Sequence, residues 1–259
     1  MTSASQQWRE DLMKWAIPSE ILDQAEEKPW IHPPALFDIP EVIQDSLSHQ
    51  RAREVMPTGG TVLDIGCGGG IGAFATTPPA AHVIGVDEQQ EMLDLFSKNA
   101  IRYGVTSQTI LGQWPAVAEQ TPIADVVTVH HVAFNVGDIV PFLKELNSHA
   151  RKRVVIEVPE VHPMTNMSEG WKFFWNVIRP TVPLAGDLIS VLAEMGIEAS
   201  IEYFESEILL DKKVDDANLY IRRRLCLPAS RQGEVDAFIA AHPMPERRKL
   251  AVIWWDIEA

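Results

Sequence analysis

The chain has 259 residues, 46% hydrophobic and 22% charged, and its 36 acids against 22 lysines and arginines leave a formal net charge of −14. That balance repels phosphate backbones and argues against nucleic acid as a partner, while no apolar run approaches the roughly 20 residues that span a bilayer. Two cysteines, Cys67 and Cys226, have neither the spacing of a zinc site nor the density of a disulfide framework, so a reducing, cytoplasmic setting without a metal is expected.

The first ten residues are polar and lack the basic-then-apolar run of a secretory signal. Residues 1–55 read as a helical N-terminal cap: one helix over Ser5 to Trp15, another from Pro18 that ends before Pro29, then an ordered loop, Pro29-Trp30-Ile31-His32-Pro33-Pro34. From Glu41 to Val55, the apolar Val42, Ile43, Leu47 and Val55 recur at helical spacing.

The middle of the chain alternates strand and helix signals, the pattern of a parallel sheet with helices on both faces. Strands are expected at Thr61 to Ile65, Ala81 to Val86, Gln108 to Leu111, Ala124 to His130 and Arg153 to Val158. The fourth is almost wholly apolar, as a strand covered on both faces should be. Between them, one helix should bury Met92, Leu93, Phe96, Ala100 and Ile101, and another should run from Ile139 to His149. After Glu160 the rhythm breaks, with Trp171, Phe173, Phe174 and Trp175 crowding a short helix; residues 160–185 read as a lid-like insertion. Helical stretches at Leu184 to Met195, Asp215 to Cys226 and Arg231 to Ala241, and strands at Ile197 to Ser206 and Lys249 to Trp255, complete the 56–259 unit. The run Arg222-Arg223-Arg224 reads as a solvated helix face rather than a phosphate or partner site.

The first strand ends in Asp64-Ile65-Gly66-Cys67-Gly68-Gly69-Gly70. Closely spaced glycines let backbone N–H groups approach a ligand with no side chain between. Asp87 closes the second strand, where an acid can accept hydrogen bonds from both ribose hydroxyls. Asp64 separates the two readings of such a loop. A carboxylate there would repel a dinucleotide's pyrophosphate, whereas a sulfonium with an ammonium group would be attracted to it. Ile71 also stands where a Gly-x-Gly-x-x-Gly fingerprint needs glycine.

The segment Val62-Leu63-Asp64-Ile65-Gly66-Cys67-Gly68-Gly69-Gly70 resembles the first motif of class I S-adenosylmethionine-dependent methyltransferases. Gly85-Val86-Asp87-Glu88, with Met92 and Leu93 beyond, resembles the second. The likeness runs from about Val62 to Val158, and the chain is also similar to uncharacterised bacterial, especially actinobacterial, members through Gly112-Gln113-Trp114-Pro115 and the segment near Trp175. It implies a doubly wound, Rossmann-like α/β fold whose seven strands lie in the order 3-2-1-4-5-7-6, the last antiparallel. It implies S-adenosylmethionine as cofactor: Gly66, Cys67 and Gly68 on its methionine portion, Asp64 holding the loop or the ammonium through water, Asp87 on the ribose, and Glu88 or Met92 beside the adenine. Gln113 stands where the family often has an aspartate for adenine N6, with Trp114 placed to stack.

Methyl transfer rests largely on positioning, with a base only where the acceptor must lose a proton. His130 and His131 end the fourth strand, and neighbouring strand residues point to opposite faces, so at most one should reach the pocket. The other reading is contact with the cofactor or packing beneath it. Asn135, Glu157, His162, Trp171, Trp175 and Trp30 are candidates for the acceptor pocket, against a core role for the aromatic ones and a structural ion partner's role for Glu157. The acceptor is expected to be a small molecule, with the N-terminal and post-strand segments excluding water. The oligomeric state is open, a homodimer included. A non-catalytic protein binding S-adenosylmethionine or S-adenosylhomocysteine is the alternative, and a nicotinamide oxidoreductase a distant third.

Overall fold

The computed structural model describes residues 2–30, 32, 34–208 and 216–258, the backbone alone at 34 and 35. Ile31 and Pro33 of the expected proline loop, and Asp215 at the start of an expected helix, lie outside the described residues.

Seven strands form one sheet in the order β3-β2-β1-β4-β5-β7-β6. They are β1 Thr61–Ile65, β2 His82–Asp87, β3 Thr106–Leu111, β4 Ala124–His130, β5 Ala150–Pro159, β6 Ser200–Glu207 and β7 Arg247–Asp256. Strands β1 to β5 pair in parallel, and β7 runs antiparallel between β5 and β6. The chain reverses its strand order between β1 and β4, which opens a crevice at the carboxyl ends of those strands.

Burial explains which strands are central. Val62, Leu63, Ile65, Val126, Val127, Val129, Val154, Val155 and Ile156 are all within 1% of complete burial, because helices cover both faces of a parallel sheet. On one face α6, Ile139–His149, seats Ile139, Phe142, Leu143 and Leu146 against the sheet, and α8, Asp187–Glu194, adds Leu188, Val191 and Leu192. On the other, α5, Gln90–Tyr103, contributes Leu93, Phe96 and Ala100. Gly104, left-handed at φ 65°, ends α5 in the conformation glycine adopts most readily. Ile101 was expected on that buried side but is 82% exposed; the sheet-facing positions are Met92, Leu93, Phe96 and Ala100, and residue 101 falls outside that arc.

The N-terminal segment forms α1, Ala4–Met13, the single turn α2, Ser19–Leu22, and α3, Leu47–Arg53. The expected helix over 41–55 is thus shorter: Ser46 caps it, its hydroxyl accepting the His49 N–H, and Val42 lies outside it, 80% exposed. A serine cap offers the backbone an alternative to helical bonding, and so sets the boundary. The helix α1 packs on α6 and α8, with the Trp8 indole donating to the Val136 carbonyl at 3.0 Å.

A smaller core forms beyond the sheet. The helices α7 Ser168–Trp175, α9 Ala217–Arg224 and α10 Gln232–Ala241 enclose Met167, Trp171, Ile221, Leu225, Cys226, Leu227 and Val235, with Ile21 from α2. Among the described residues no helix is long and apolar enough to cross a membrane.

Candidate functional site

The turn after β1 sits at the crevice. Gly66, Gly68 and Gly70 have φ of 67°, 49° and 92°, and L side chains rarely enter that region. Added Cβ atoms would strike Val132 at Gly66, the Phe37 ring at Gly68, the Phe37 carbonyl at Gly69 and Phe74 at Gly70. The loop is therefore held closely on all sides by backbone and rings. Its two ends are fixed by hydrogen bonds: Gly66 and Cys67 N–H donate to the Val86 carbonyl at 2.8 and 3.0 Å, and Asn99 Nδ2 donates to the Gly69 carbonyl at 2.9 Å.

Two carboxylates brace the loop from different directions. Asp87 accepts from Gly68 N–H on Oδ2 and from Gln89 N–H on Oδ1, both at 3.0 Å. Each oxygen keeps a second lone pair for a ligand hydroxyl. Asp64 lies beneath, 1% exposed, accepting from Ala73 N–H at 3.2 Å and Thr128 Oγ1 at 3.0 Å. Burial pushes its carboxyl up to about 7, and the nearby Asp87 pushes in the same direction against the hydrogen bonds from Thr128 and Ala73. Cys67 is buried, its Sγ close to Gly85, and burial with the two acids raises its thiol well above the usual range. That makes it a small packing residue and no nucleophile.

A second cluster gathers where β4 and β5 end. Glu157 is 6% exposed. Ser48 Oγ donates to its carboxylate, Ser46 Oγ follows at 3.4 Å, His131 Nε2 lies 3.3 Å away and His130 Nδ1 3.9 Å. Burial opposes ionisation of Glu157, but His130, His131 and Ser48 outweigh it and hold the carboxyl well below its usual range. Burial brings the His130 imidazole down to about 4, so it is neutral at pH 7, and it stacks on His49 at 5.5 Å. His131 departs from the ordinary backbone: its φ is 62°. Its N–H donates to the Glu157 carbonyl at 2.7 Å, so one residue holds both its backbone and its ring. The other ring nitrogen, Nδ1, is buried without a protein partner. Positive φ in a non-glycine residue costs on the order of 1–3 kcal/mol and gathers at functional sites.

Residues 62–153 match the family model described as Methyltransferase domain. The segment from β1 into β5 is thus similar to a methyltransferase domain. Over 114 residues the chain is 32% identical to a Pyrobaculum calidifontis protein named probable cobalt-precorrin-6B C(15)-methyltransferase (decarboxylating), covering 42% of this chain and 53% of that one. The chain therefore spans about half the length of that relative. It is 25% identical over 210 residues to an uncharacterised Haemophilus influenzae protein, covering 76% of each. Its fold matches a S-adenosylmethionine-dependent methyltransferase of Thiobacillus denitrificans, solved with S-adenosyl-L-homocysteine, at a TM-score of 0.54 and 17% identity over 93% of this chain and 99% of that one.

The methyltransferase fold brings the expected glycine loop and Asp87 together, with Met92 buried below and Glu88 and Gln113 exposed beside them. Trp114 corrects the expectation of a stacking indole. It is 7% exposed, donates to the Phe142 carbonyl at 3.3 Å and packs edge-on to His149, because the turn after β3 folds it into the sheet's core. Trp171, fully buried, and Trp175, whose indole donates to the Leu225 carbonyl at 2.7 Å, likewise belong to the smaller core and do not line a cleft. Asn135 is exposed on the turn after β4, and Trp30 is 55% exposed. His162 stacks on Trp15 at 3.9 Å and meets Phe134 edge-on; burial, with Arg179 and Arg224, brings it down to about 4.

Sequence reasoning missed Ser46, Ser48, His49 and Phe37. The cap pattern at Ser46 was the available signal for the first three. Nothing local marks Phe37, which reaches the glycine loop from some 30 positions away.

Proposed function

We propose that this chain transfers a methyl group from S-adenosylmethionine to a small-molecule acceptor at the crevice between the glycine loop and the ends of β4 and β5. The observation that carries the reading is the left-handed glycine turn whose Gly68 N–H is fastened to Asp87. That turn spends the Gly66, Cys67 and Gly68 N–H groups on its own shape and presents, at one edge, an acid with spare lone pairs. The residues fit the cofactor: Gly66, Cys67 and Gly68 would face its methionine portion, Asp87 its ribose, Glu88, Met92 and Gln113 its adenine. When bound, it supplies an electrophilic methyl on a sulfonium.

The chain's own residues contribute position and, for a protonated acceptor, a base. With Glu157 facing Nε2 of His131, that nitrogen carries the ring proton and Nδ1 is left as an acceptor lone pair. A base needs an oriented imidazole and a free lone pair; Glu157 orients the His131 ring, and its buried, unpartnered Nδ1 is the candidate for the lone pair. Glu157 is a positioning residue, acting through the imidazole. Residues 1–55 and 160–185 would close over the crevice and exclude water. Phe37 on the glycine loop supports the first part of that closure.

The test is production of S-adenosylhomocysteine from S-adenosylmethionine across a broad panel of small hydroxyl, amine, thiol and carboxylate acceptors. Acceptor-dependent turnover supports the proposal. Cofactor binding with no turnover on any acceptor would favour a non-catalytic binding protein.

A further inference from the structure

The run Arg222-Arg223-Arg224 on α9 is not the solvated face that its charge pattern suggests. Arg222 is 4% exposed and pairs with Glu26 at 3.2 Å, and Arg223 pairs with Glu27 at 2.8 Å. Glu26 also accepts the Ala229 N–H at 2.9 Å. Two of the three arginines thus fasten the N-terminal segment to the smaller core. Arg224 turns elsewhere and meets no carboxylate among the described residues. Its donors face the Pro29 carbonyl at 3.2 Å, His32 Nε2 at 3.5 Å and the Met164 sulfur. A thioether is a weak acceptor for a guanidinium that prefers a bidentate oxyanion. In a chain of net charge −14, a half-buried arginine left with such partners is out of keeping with its neighbours. Arg51, Arg153 and Arg231 all reach acids.

The groups around Arg224 are donors or neutral. Its guanidinium lies 5.6 Å from the Tyr220 ring. Tyr220 Oη is 2.7 Å from His32 Nδ1. If His32 Nε2 accepts from Arg224, Nδ1 carries the ring proton and donates to Tyr220, which leaves the tyrosine hydroxyl hydrogen unspent. Burial raises the Tyr220 phenol, keeping it protonated. Met164 N–H in turn donates to His162 Nδ1 at 3.2 Å, so Arg224 and His162 border the same turn.

This patch sits on the crevice's rim. Phe37 lies on the glycine loop and meets His32 edge-on at 6.2 Å. His32 leads to Tyr220 and Arg224, Arg224 to Met164, Met164 to His162, and His162 to Phe134 in the turn after β4. Val132 of that turn returns to Gly66. The circuit runs from the glycine loop to the end of β4 and closes there.

We propose that the acceptor of this methyltransferase carries an oxyanion, a carboxylate or phosphate, which is seated by the Arg224 guanidinium and the Tyr220 hydroxyl while the methylated atom faces the ends of β4 and β5. The inference rests on the methyl-transfer reading of the crevice. Seating the anion would replace the Met164 contact with a charge-assisted bidentate one and anchor the acceptor at its far end, leaving the reacting end to be aligned.

The experiment titrates the S-adenosylhomocysteine-saturated protein with benzoate, phenyl phosphate, and the neutral benzamide and benzyl alcohol, by calorimetry. Wild type, Arg224→Met, Arg224→Lys and Tyr220→Phe are compared, with melting temperatures measured to confirm folding. The proposal expects benzoate or phenyl phosphate to bind wild type at least tenfold tighter than its neutral counterpart. The stronger of the two names the oxyanion. Arg224→Met should remove that preference, Arg224→Lys retain part of it and Tyr220→Phe weaken it, all with S-adenosylhomocysteine affinity changed less than twofold. Equal binding of neutral and anionic probes overturns it, as does an anion preference that survives Arg224→Met. A loss of S-adenosylhomocysteine affinity in Arg224→Met also overturns it, since Arg224 would then serve the cofactor's own carboxylate. Failure of wild type to bind S-adenosylhomocysteine at all is separate, and counts against the cofactor reading.

Discussion

Replacing Asp64 with asparagine removes the one carboxyl that the fold keeps beneath the glycine loop and almost out of solvent. Folded, it titrates near 7 against an ordinary 3.8. Between those pH values the folded chain holds a proton that the unfolded chain has released. The stability this supplies is complete below pH 3.8 and is lost as pH rises through 7. At 1.36 kcal/mol per pH unit, the wild type gives up about 4 kcal/mol across that window. Asparagine keeps the shape and still accepts the Ala73 N–H, while the Thr128 hydroxyl can turn to accept from its amide. The variant's stability relative to wild type should therefore climb by roughly 1.4 kcal/mol per pH unit from about pH 4 to about 7 and then level off. Urea unfolding of both proteins at half-unit steps from pH 4.5 to 8 measures this, and the difference between them cancels every other titrating group. A difference that stays flat with pH would refute the reasoning, since it would mean that Asp64 is ionised at no cost in the fold.

Other substitutions probe the remaining parts. Asp87→Ala strips the acceptor from Gly68 and Gln89 N–H, and should cost about 1–3 kcal/mol of stability together with at least a hundredfold in S-adenosylhomocysteine affinity, read by urea unfolding and calorimetry. Glu157→Gln removes the charge beside His131 and leaves one amide oxygen to serve both His131 Nε2–H and Ser48, so the ring should lose its preference for one tautomer; turnover on a proton-bearing acceptor should fall on the order of 10²-fold and the acid limb of its pH profile should move, whereas a purely structural role would lower stability and leave the profile in place. Gly69→Ala has a φ that alanine accepts, yet its Cβ would overlap the Phe37 carbonyl; protease cleavage within residues 29–40 should quicken several-fold while the main melting transition stays within a few degrees.

The sheet was legible because its strands carry two independent signals: a β-branched run in β1, β4 and β5, and glycine breakers such as Gly66 after β1 and Gly112 after β3. Boundaries moved where the chain pairs beyond its apolar part. The strand β5 begins at Ala150, three residues before the expected start at Arg153, since Ala150 aligns with Ala124 of β4. The glycine loop and Asp87 were legible as a pair because local sequence builds them. The Glu157 cluster was not, because Ser48 and Glu157 are 109 positions apart and meet only through the fold. Aromatic residues misled for the opposite reason. Trp114 and Trp171 suit a pocket or a core equally well by composition, and burial decided for the core at both. The arginine run shows the same limit: its charges announce a solvated face, and only Glu26, Glu27 and, among the described residues, the absence of an acid beside Arg224 show three different fates.

Calorimetric titration of the wild-type protein with S-adenosylhomocysteine and, separately, with NAD tests the central claim most directly, because Asp87 suits the ribose of either ligand and Asp64 separates the two. The account predicts one-site binding of S-adenosylhomocysteine, a matching rise in melting temperature of the size that ligand linkage requires, and no response to NAD. Binding of NAD, or no binding of S-adenosylhomocysteine to a folded protein, would contradict it.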